Sequence, residues 1–125
     1  MKRKTNLRIL YVEDDQDSLD MVEITLRFAN IDVCSATSTD TAWNRSMSES
    51  FDLYLLDGKV KDGTTLGLCG KLHERSPATP ILFYSGLATK ADIQNGLEAG
   101  ANSYLVKPFF GDLAETVTKT IRREA

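Results

Sequence analysis

Apolar residues in this chain come in short dense runs separated by longer amphipathic stretches. Four runs rich in β-formers stand out, Arg8–Val12, Leu53–Leu56, Ile81–Tyr84 and Tyr104–Val106, and Ile31–Cys34 is a weaker fifth. Near-continuous apolarity over so few residues predicts strands buried on both faces, as in a parallel sheet. The stretches between them have helical spacing. Asp17 to Ala29 carries Leu19, Val22, Ile24, Leu26 and Phe28, with Asp17 as its expected N-cap and Asn30 as its stop. Thr39 to Ser48 carries Ala42, Trp43 and Met47, and Trp43 is expected to pack that helix on the sheet. Leu66 to Leu72, Lys90 to Ala99 and Asp112 to Arg123 complete the set, with Gly100 as a C-cap after the fourth helix.

The order is strand then helix, five times over. That alternation predicts an α/β fold with a doubly wound five-stranded parallel sheet and helices on both faces. The expected domain is single, with its core at about residues 7–123 and residues 1–6 as a basic solvated tail. Folds of this kind gather their functional groups at the carboxyl ends of the strands.

Composition narrows the classes. At 125 residues with 42% hydrophobic content, the chain has enough apolar material for a core and little room for a second domain. An output domain would therefore lie in a different protein or a longer chain. No apolar run approaches the ~20 residues that span a bilayer. Acidic residues in ILYVEDDQD follow MKRKTNLR too soon for a signal peptide, so a cytoplasmic location is expected. The net charge of −3 gives no basic surface for direct nucleic-acid binding. Cys34 and Cys69 have no disulfide or metal spacing and read as small core residues. His73 reads as helix surface, with no role as a phosphorylated histidine.

The strand ends carry the candidate chemistry. Strand one runs into Glu13, Asp14 and Asp15, strand three into Asp57, strand four into Ser85-Gly86 and strand five into Lys107-Pro108. With strands one, three, four and five adjacent, carboxylates, a hydroxyl and an ammonium meet in one crevice. Clustered carboxylates raise one another's pKa. A hard divalent cation with oxygen ligands relieves that repulsion, and magnesium suits such a site because it keeps several waters. A carboxylate can attack phosphorus and become an acyl phosphate, while lysine and hydroxyl bind the remaining phosphoryl oxygens. Taken singly, these residues have plainer readings: the acids as helix N-cap residues, Ser85 as a turn residue, Lys107-Pro108 as a strand exit.

In combination, YVEDD, LLD, FYSG and GANSYLVKPF, in that order and each at a strand end, resemble the receiver domain of bacterial response regulators, over nearly the whole chain. The resemblance implies a CheY-like, flavodoxin-like (βα)5 sheet in the order 2-1-3-4-5. It implies Asp57 as phospho-acceptor, with Mg2+ held by Asp14 directly, by Glu13 through water, by Asp57, and by the backbone carbonyl of Lys59. Ser85 and Lys107 would bind the phosphoryl group, the Lys107-Pro108 bond would be cis, and Tyr104 would couple Ser85 to the face of helix four, strand five and helix five. The implied partners are a sensor histidine kinase or phosphotransfer protein and a downstream protein or output domain, with a possible phosphorylation-dependent homodimer. Phosphoryl transfer to Asp57 would be self-catalysed, so the domain is not expected to be an enzyme.

The loop after the acceptor departs from the family pattern Asp-x-x-Met-Pro-x-x-Asp-Gly. It reads DGKVKDGTT, with Val60 and Lys61 in place of Met-Pro and Thr64 and Thr65 in place of Asp-Gly. Loss of the proline predicts a looser loop. Lys59 would lie close to the phosphoryl group, and a bulky Leu87 would hinder attacking water, which predicts a long-lived phosphoryl state. Three other functions compete. A haloacid dehalogenase-type phosphatase would need an aspartate where Val60 stands before Asp62-Gly63-Thr64. A flavin- or dinucleotide-binding module would want a phosphate-binding loop after strand one, where the acids of EDDQDS would repel phosphate. The third is a receiver-like interaction module that works without phosphorylation.

Overall fold

Burial on both faces explains why the apolar runs become a central sheet. The computed structural model describes residues 6–109 and 111–123. Five strands form one parallel sheet: β1 (Leu7–Val12), β2 (Ile31–Ala36), β3 (Leu53–Leu56), β4 (Ile81–Ser85) and β5 (Ser103–Val106). Their spatial order is 2-1-3-4-5, as expected, with Val12 level with Ala36 and Leu56, Leu56 with Phe83, and Ser85 with Val106. All four residues of β3 are buried, whereas edge strand β2 exposes Asp32 and Ser35, which is why its sequence signal was weaker.

Alternate residues of each strand feed opposite cores. Ile9, Tyr11, Leu53, Leu55 and Leu82 meet Val22 and Leu26 of helix α1 (Gln16–Arg27) and Leu113 and Val117 of α5 (Leu113–Arg122). Leu10, Val12, Leu56, Ile81 and Phe83 meet Ala42 of α2 (Thr39–Ser48) and Leu68, Cys69 and Leu72 of α3 (Leu66–Arg75). Each Leu, Ile, Val or Phe side chain among them contributes about 1.5–3 kcal/mol on burial. Helix α4 (Lys90–Glu98) closes the second face, where Gly96 lies against Tyr104 and Phe83. Its N-terminus is a full capping box, Thr89 with Asp92, and Gly100 follows with φ +123, a value that favours glycine.

Several local expectations are corrected. Asp15, not Asp17, caps α1, accepting from the Ser18 amide at 3.0 Å, because the strand exit at Glu13 brings the chain into helical geometry two residues earlier. Helix α3 runs through His73 to Arg75, with His73 exposed in its polar last turn as expected. Ile24, Phe28, Met47 and Leu97 are exposed, so their helices use narrower apolar faces than the periodicity suggested. Cys69 is buried but Cys34 only half so. Trp43 does rest on the core, and Lys71 and Arg75 of α3 cover its ring at 4.3 and 5.6 Å from the centroid.

The loop that lacks the proline forms local structure of its own. Lys59–Val60 and Gly63–Thr64 pair as a short antiparallel hairpin. Asp62 at its turn accepts from the Thr39 hydroxyl at 2.7 Å and the Thr39 amide at 3.0 Å, tying the hairpin to the N-terminus of α2. Residues 1–5, which hold most of the expected basic tail, and Phe110, expected near the start of the last helix, lie outside the described residues.

Candidate functional site

The parallel registers bring the ends of β1, β3, β4 and β5 to one edge, and with them Glu13, Asp14, Asp57, Ser85 and Lys107. The Asp57 amide donates to the Val12 carbonyl at 2.9 Å, and the Glu13 amide donates to the Ala36 carbonyl, so both acids leave the sheet still held by its ladder. The Lys107 amide donates to the Ser85 carbonyl at 2.8 Å, and Lys107-Pro108 is cis.

Lys107 Nζ is the hub. It lies 2.6 Å from Glu13 Oε1, 3.7 Å from Asp57 Oδ2, 3.4 Å from Ser18 Oγ and 5.2 Å from the centroid of the Tyr84 ring. Glu13 is only 1% exposed, and four protein groups donate to its carboxylate. Its Oε1 takes the Lys107 ammonium and the Tyr11 hydroxyl at 2.9 Å, and its Oε2 takes the amides of Asp14 and Asp15 at 3.1 Å. Burial alone would raise the Glu13 pKa, but the hydrogen bond from Lys107, the Asp15 amide and the lysine charge outweigh it and hold the carboxyl below its usual range. Burial and the Glu13 charge together push the Tyr11 phenol far above its usual value, so it remains a donor.

Asp57 is less well compensated. Its Oδ1 accepts from the Gly58 amide at 2.7 Å, while Oδ2 faces Lys107 beyond hydrogen-bond distance. Burial pushes its pKa up to about 6; Lys107 and Ser85 oppose that rise and the Glu13 charge adds to it. A carboxylate held this way is ionised at neutral pH and has one oxygen directed at the crevice, as a nucleophile needs.

Ser85 is fully buried beside Asp57. Its Oγ accepts from the Leu87 amide at 3.0 Å, and the Tyr104 hydroxyl donates to the Leu87 carbonyl at 2.6 Å. Leu87 thus joins the two residues through its own backbone. The Tyr104 ring stacks on Phe83 with centroids 5.1 Å apart. Lys59 is exposed on the first arm of the hairpin.

Sequence reasoning missed two members. Tyr11 was read only as part of a strand, although its position two residues before Glu13 puts both side chains on one face. Thr65 is fully buried and donates its hydroxyl to the Asp57 carbonyl at 2.6 Å instead of capping α3. Nothing in its sequence context signals that role.

Among the described residues no three His, Cys, Asp or Glu side chains cluster as a metal cage. The Glu13 oxygens accept from Lys107, Tyr11 and backbone amides. What remains is Asp14, half-buried, Asp57 Oδ2 and backbone carbonyl oxygen. Two carboxylates with carbonyl and water ligands still fit magnesium, which rarely takes an all-protein cage.

The acidic crevice with Lys107 lies at the carboxyl edge of a doubly wound 2-1-3-4-5 sheet, the edge where such folds gather their functional groups. A profile described as the response regulator receiver domain matches residues 9–120. The chain is 33% identical over 118 residues to the nisin biosynthesis regulatory protein NisR of Lactococcus lactis subsp. lactis, covering 94% of this chain and 51% of that protein. It is 33% identical over 116 residues to the response regulator protein PilR of Pseudomonas aeruginosa, covering 92% of this chain and 26% of that one. It therefore spans about half or less of the length of these curated relatives. Among solved structures, a CheY-like response regulator receiver domain protein from Methanospirillum hungatei JF-1 superposes with a TM-score of 0.89 at 29% identity, covering 95% of this chain and 96% of that one. The chain belongs to the response regulator receiver domain family of two-component signalling.

Proposed function

We propose that this receiver domain accepts a phosphoryl group on Asp57 from a phosphohistidine donor and passes the change to its α4-β5-α5 face. The supporting observation is the uneven hydrogen bonding of Asp57: one oxygen is fixed by the Gly58 amide, and the other is open beside Lys107. That open oxygen attacks phosphorus, an O–P bond forms, the donor N–P bond breaks, and its electron pair returns to the imidazole. Magnesium bound by Asp14, Asp57 and the Lys59 carbonyl would supply charge neutralisation for the crowded oxygens. Lys107 moves its ammonium toward the new phosphoryl oxygens, and the Ser85 hydroxyl donates to one of them. Because Ser85 and Tyr104 both hold Leu87, a shift of Ser85 reaches Tyr104 and the outer face.

The partners on this reading are a histidine kinase or phosphotransfer protein and a downstream protein or output domain. Beryllofluoride with magnesium mimics an aspartyl phosphate and tests it. Expected are magnesium-dependent binding, amide NMR shifts at Ser85, Leu87 and Tyr104, and loss of both in Asp57→Asn. A wild-type chain silent to beryllofluoride at saturating magnesium would overturn the reading and leave an interaction module that works without phosphorylation.

A further inference from the structure

Tyr11 is an unusual group to find inside this sheet. It is fully buried in the core shared with α1 and α5, and a residue in that place needs only to be apolar to serve packing. Its hydroxyl instead reaches the crevice and donates to Glu13 Oε1 at 2.9 Å. The same oxygen takes the Lys107 ammonium at 2.6 Å, so two donors share one acceptor that is almost wholly withdrawn from water. Glu13 Oε2 has its own two partners, the amides of Asp14 and Asp15.

A carboxylate oxygen accommodates two donors, and of the two on Oε1 only the Lys107 ammonium sits on a flexible side chain that also faces Asp57. On the reading above, Lys107 is drawn to the phosphoryl oxygens, which bring close to two negative charges against the single charge of Asp57. Glu13 would then keep a buried oxygen that had lost its ammonium. Tyr11 does not move with it, because its ring is packed in the strand layer.

We propose that Tyr11 is a positioning residue that satisfies Glu13 Oε1 when Lys107 turns to the phosphoryl group, and so selectively stabilises the activated state. The inference rests on the proposed function and deepens it. In the unliganded chain loss of the hydroxyl leaves Oε1 still paired with the Lys107 ammonium. In the activated chain the hydroxyl is the protein donor that stays on that buried oxygen. Its loss therefore falls on one state more than the other, which a purely structural contact would not do.

The test is Tyr11→Phe, which deletes one oxygen and keeps the ring. Tyr54→Phe is the control: Tyr54 is also a buried sheet tyrosine, its hydroxyl is paired near Ser76 at the other end of the sheet, and it has no part in the site. Beryllofluoride affinity is read from titrated amide shifts at fixed magnesium, and thermal midpoints are taken with and without it. A hydrogen bond to a charged buried acceptor predicts binding about tenfold weaker in Tyr11→Phe, with Tyr54→Phe like the wild type. The midpoint of Tyr11→Phe should fall more with beryllofluoride than without it. Binding within about twofold of wild type, a factor too small for a lost charged hydrogen bond, would overturn the inference while leaving the phosphorylation reading intact. Equal weakening in both variants would overturn it too, as general loss of stability. Failure of the wild type to bind would instead remove the phosphorylation reading, and this inference with it.

Discussion

Lys107 Nζ lies 2.6 Å from Glu13 Oε1 and 3.7 Å from Asp57 Oδ2, so the ammonium is paired mainly with the more deeply buried of its two carboxylates. Removing one partner of a buried pair strands the other charge. Lys107→Met keeps most of the side-chain volume and is expected to destabilise the fold by about 3 kcal/mol in denaturant unfolding. Adding Glu13→Gln removes the stranded charge and should restore most of that loss. A Lys107→Met chain as stable as the wild type would mean that Glu13 reaches water.

Asp57 and Glu13 give pH dependences of opposite sign. The Asp57 carboxyl is raised to about 6, so the folded state binds its proton more tightly than the unfolded state does. Its contribution is fully present below the unfolded value near 4 and is lost as pH rises through about 6. Glu13 is held below its usual range, so its contribution is present at neutral pH and is lost in acid. With a chelator present, thermal stability should therefore rise as pH is lowered from about 7 to about 5 and then fall again. Asp57→Asn should abolish the rise and keep the fall. A wild-type profile flat across that window would remove the assigned shift.

Much of this was legible in the sequence because it depends on order. The runs at Leu53–Leu56 and Ile81–Tyr84 are apolar on both faces, so strand, burial and parallel pairing follow together, and the acids and Lys107 fall at strand ends by counting. The unreadable parts depend on which side chain turns to which. Asp62 stands outside the family pattern, and only the folded chain places its carboxylate on the Thr39 amide. Thr65 has an ordinary N-cap identity but spends its hydroxyl on the Asp57 carbonyl. Glu13 reads as a metal acid in sequence, and its commitment to Lys107 and Tyr11 comes from contacts across β1 and β5.

Gly58 is needed for the room it leaves. A Cβ there would sit 2.7 Å from Ser85 Oγ and 3.0 Å from Leu87 Cδ1, so one methyl group pushes on both the hydroxyl and the residue that links it to Tyr104. Gly58→Ala is expected to cost about 1–3 kcal/mol, the usual range for overpacking. It should also weaken beryllofluoride binding, because Ser85 can no longer approach the acceptor freely. Unfolding midpoints and titrated amide shifts check the two effects separately. A variant that loses stability but binds beryllofluoride like the wild type would show that Ser85 is not displaced.

The same contact bears on how long a phosphoryl group would last. The Leu87 side chain reaches over Gly58, immediately after Asp57, and its backbone is fixed at both ends by Ser85 and Tyr104. An isobutyl group held there narrows the path by which water could approach phosphorus in line with the acyl bond, and Lys59 on the adjoining hairpin adds positive charge that stabilises the phosphorylated ground state. Hydrolysis of the acyl phosphate is therefore expected to be slow. Leu87→Ala opens the path without touching a group that binds the phosphoryl oxygens, and should speed dephosphorylation by about tenfold, the equivalent of ~1.4 kcal/mol in the barrier. Loss of label from the phosphorylated protein, followed after removal of the donor, measures both chains. A wild-type half-life of only seconds, or an unchanged rate in Leu87→Ala, would mean that water reaches the acyl phosphate by another route and that Leu87 serves the link to Tyr104 alone.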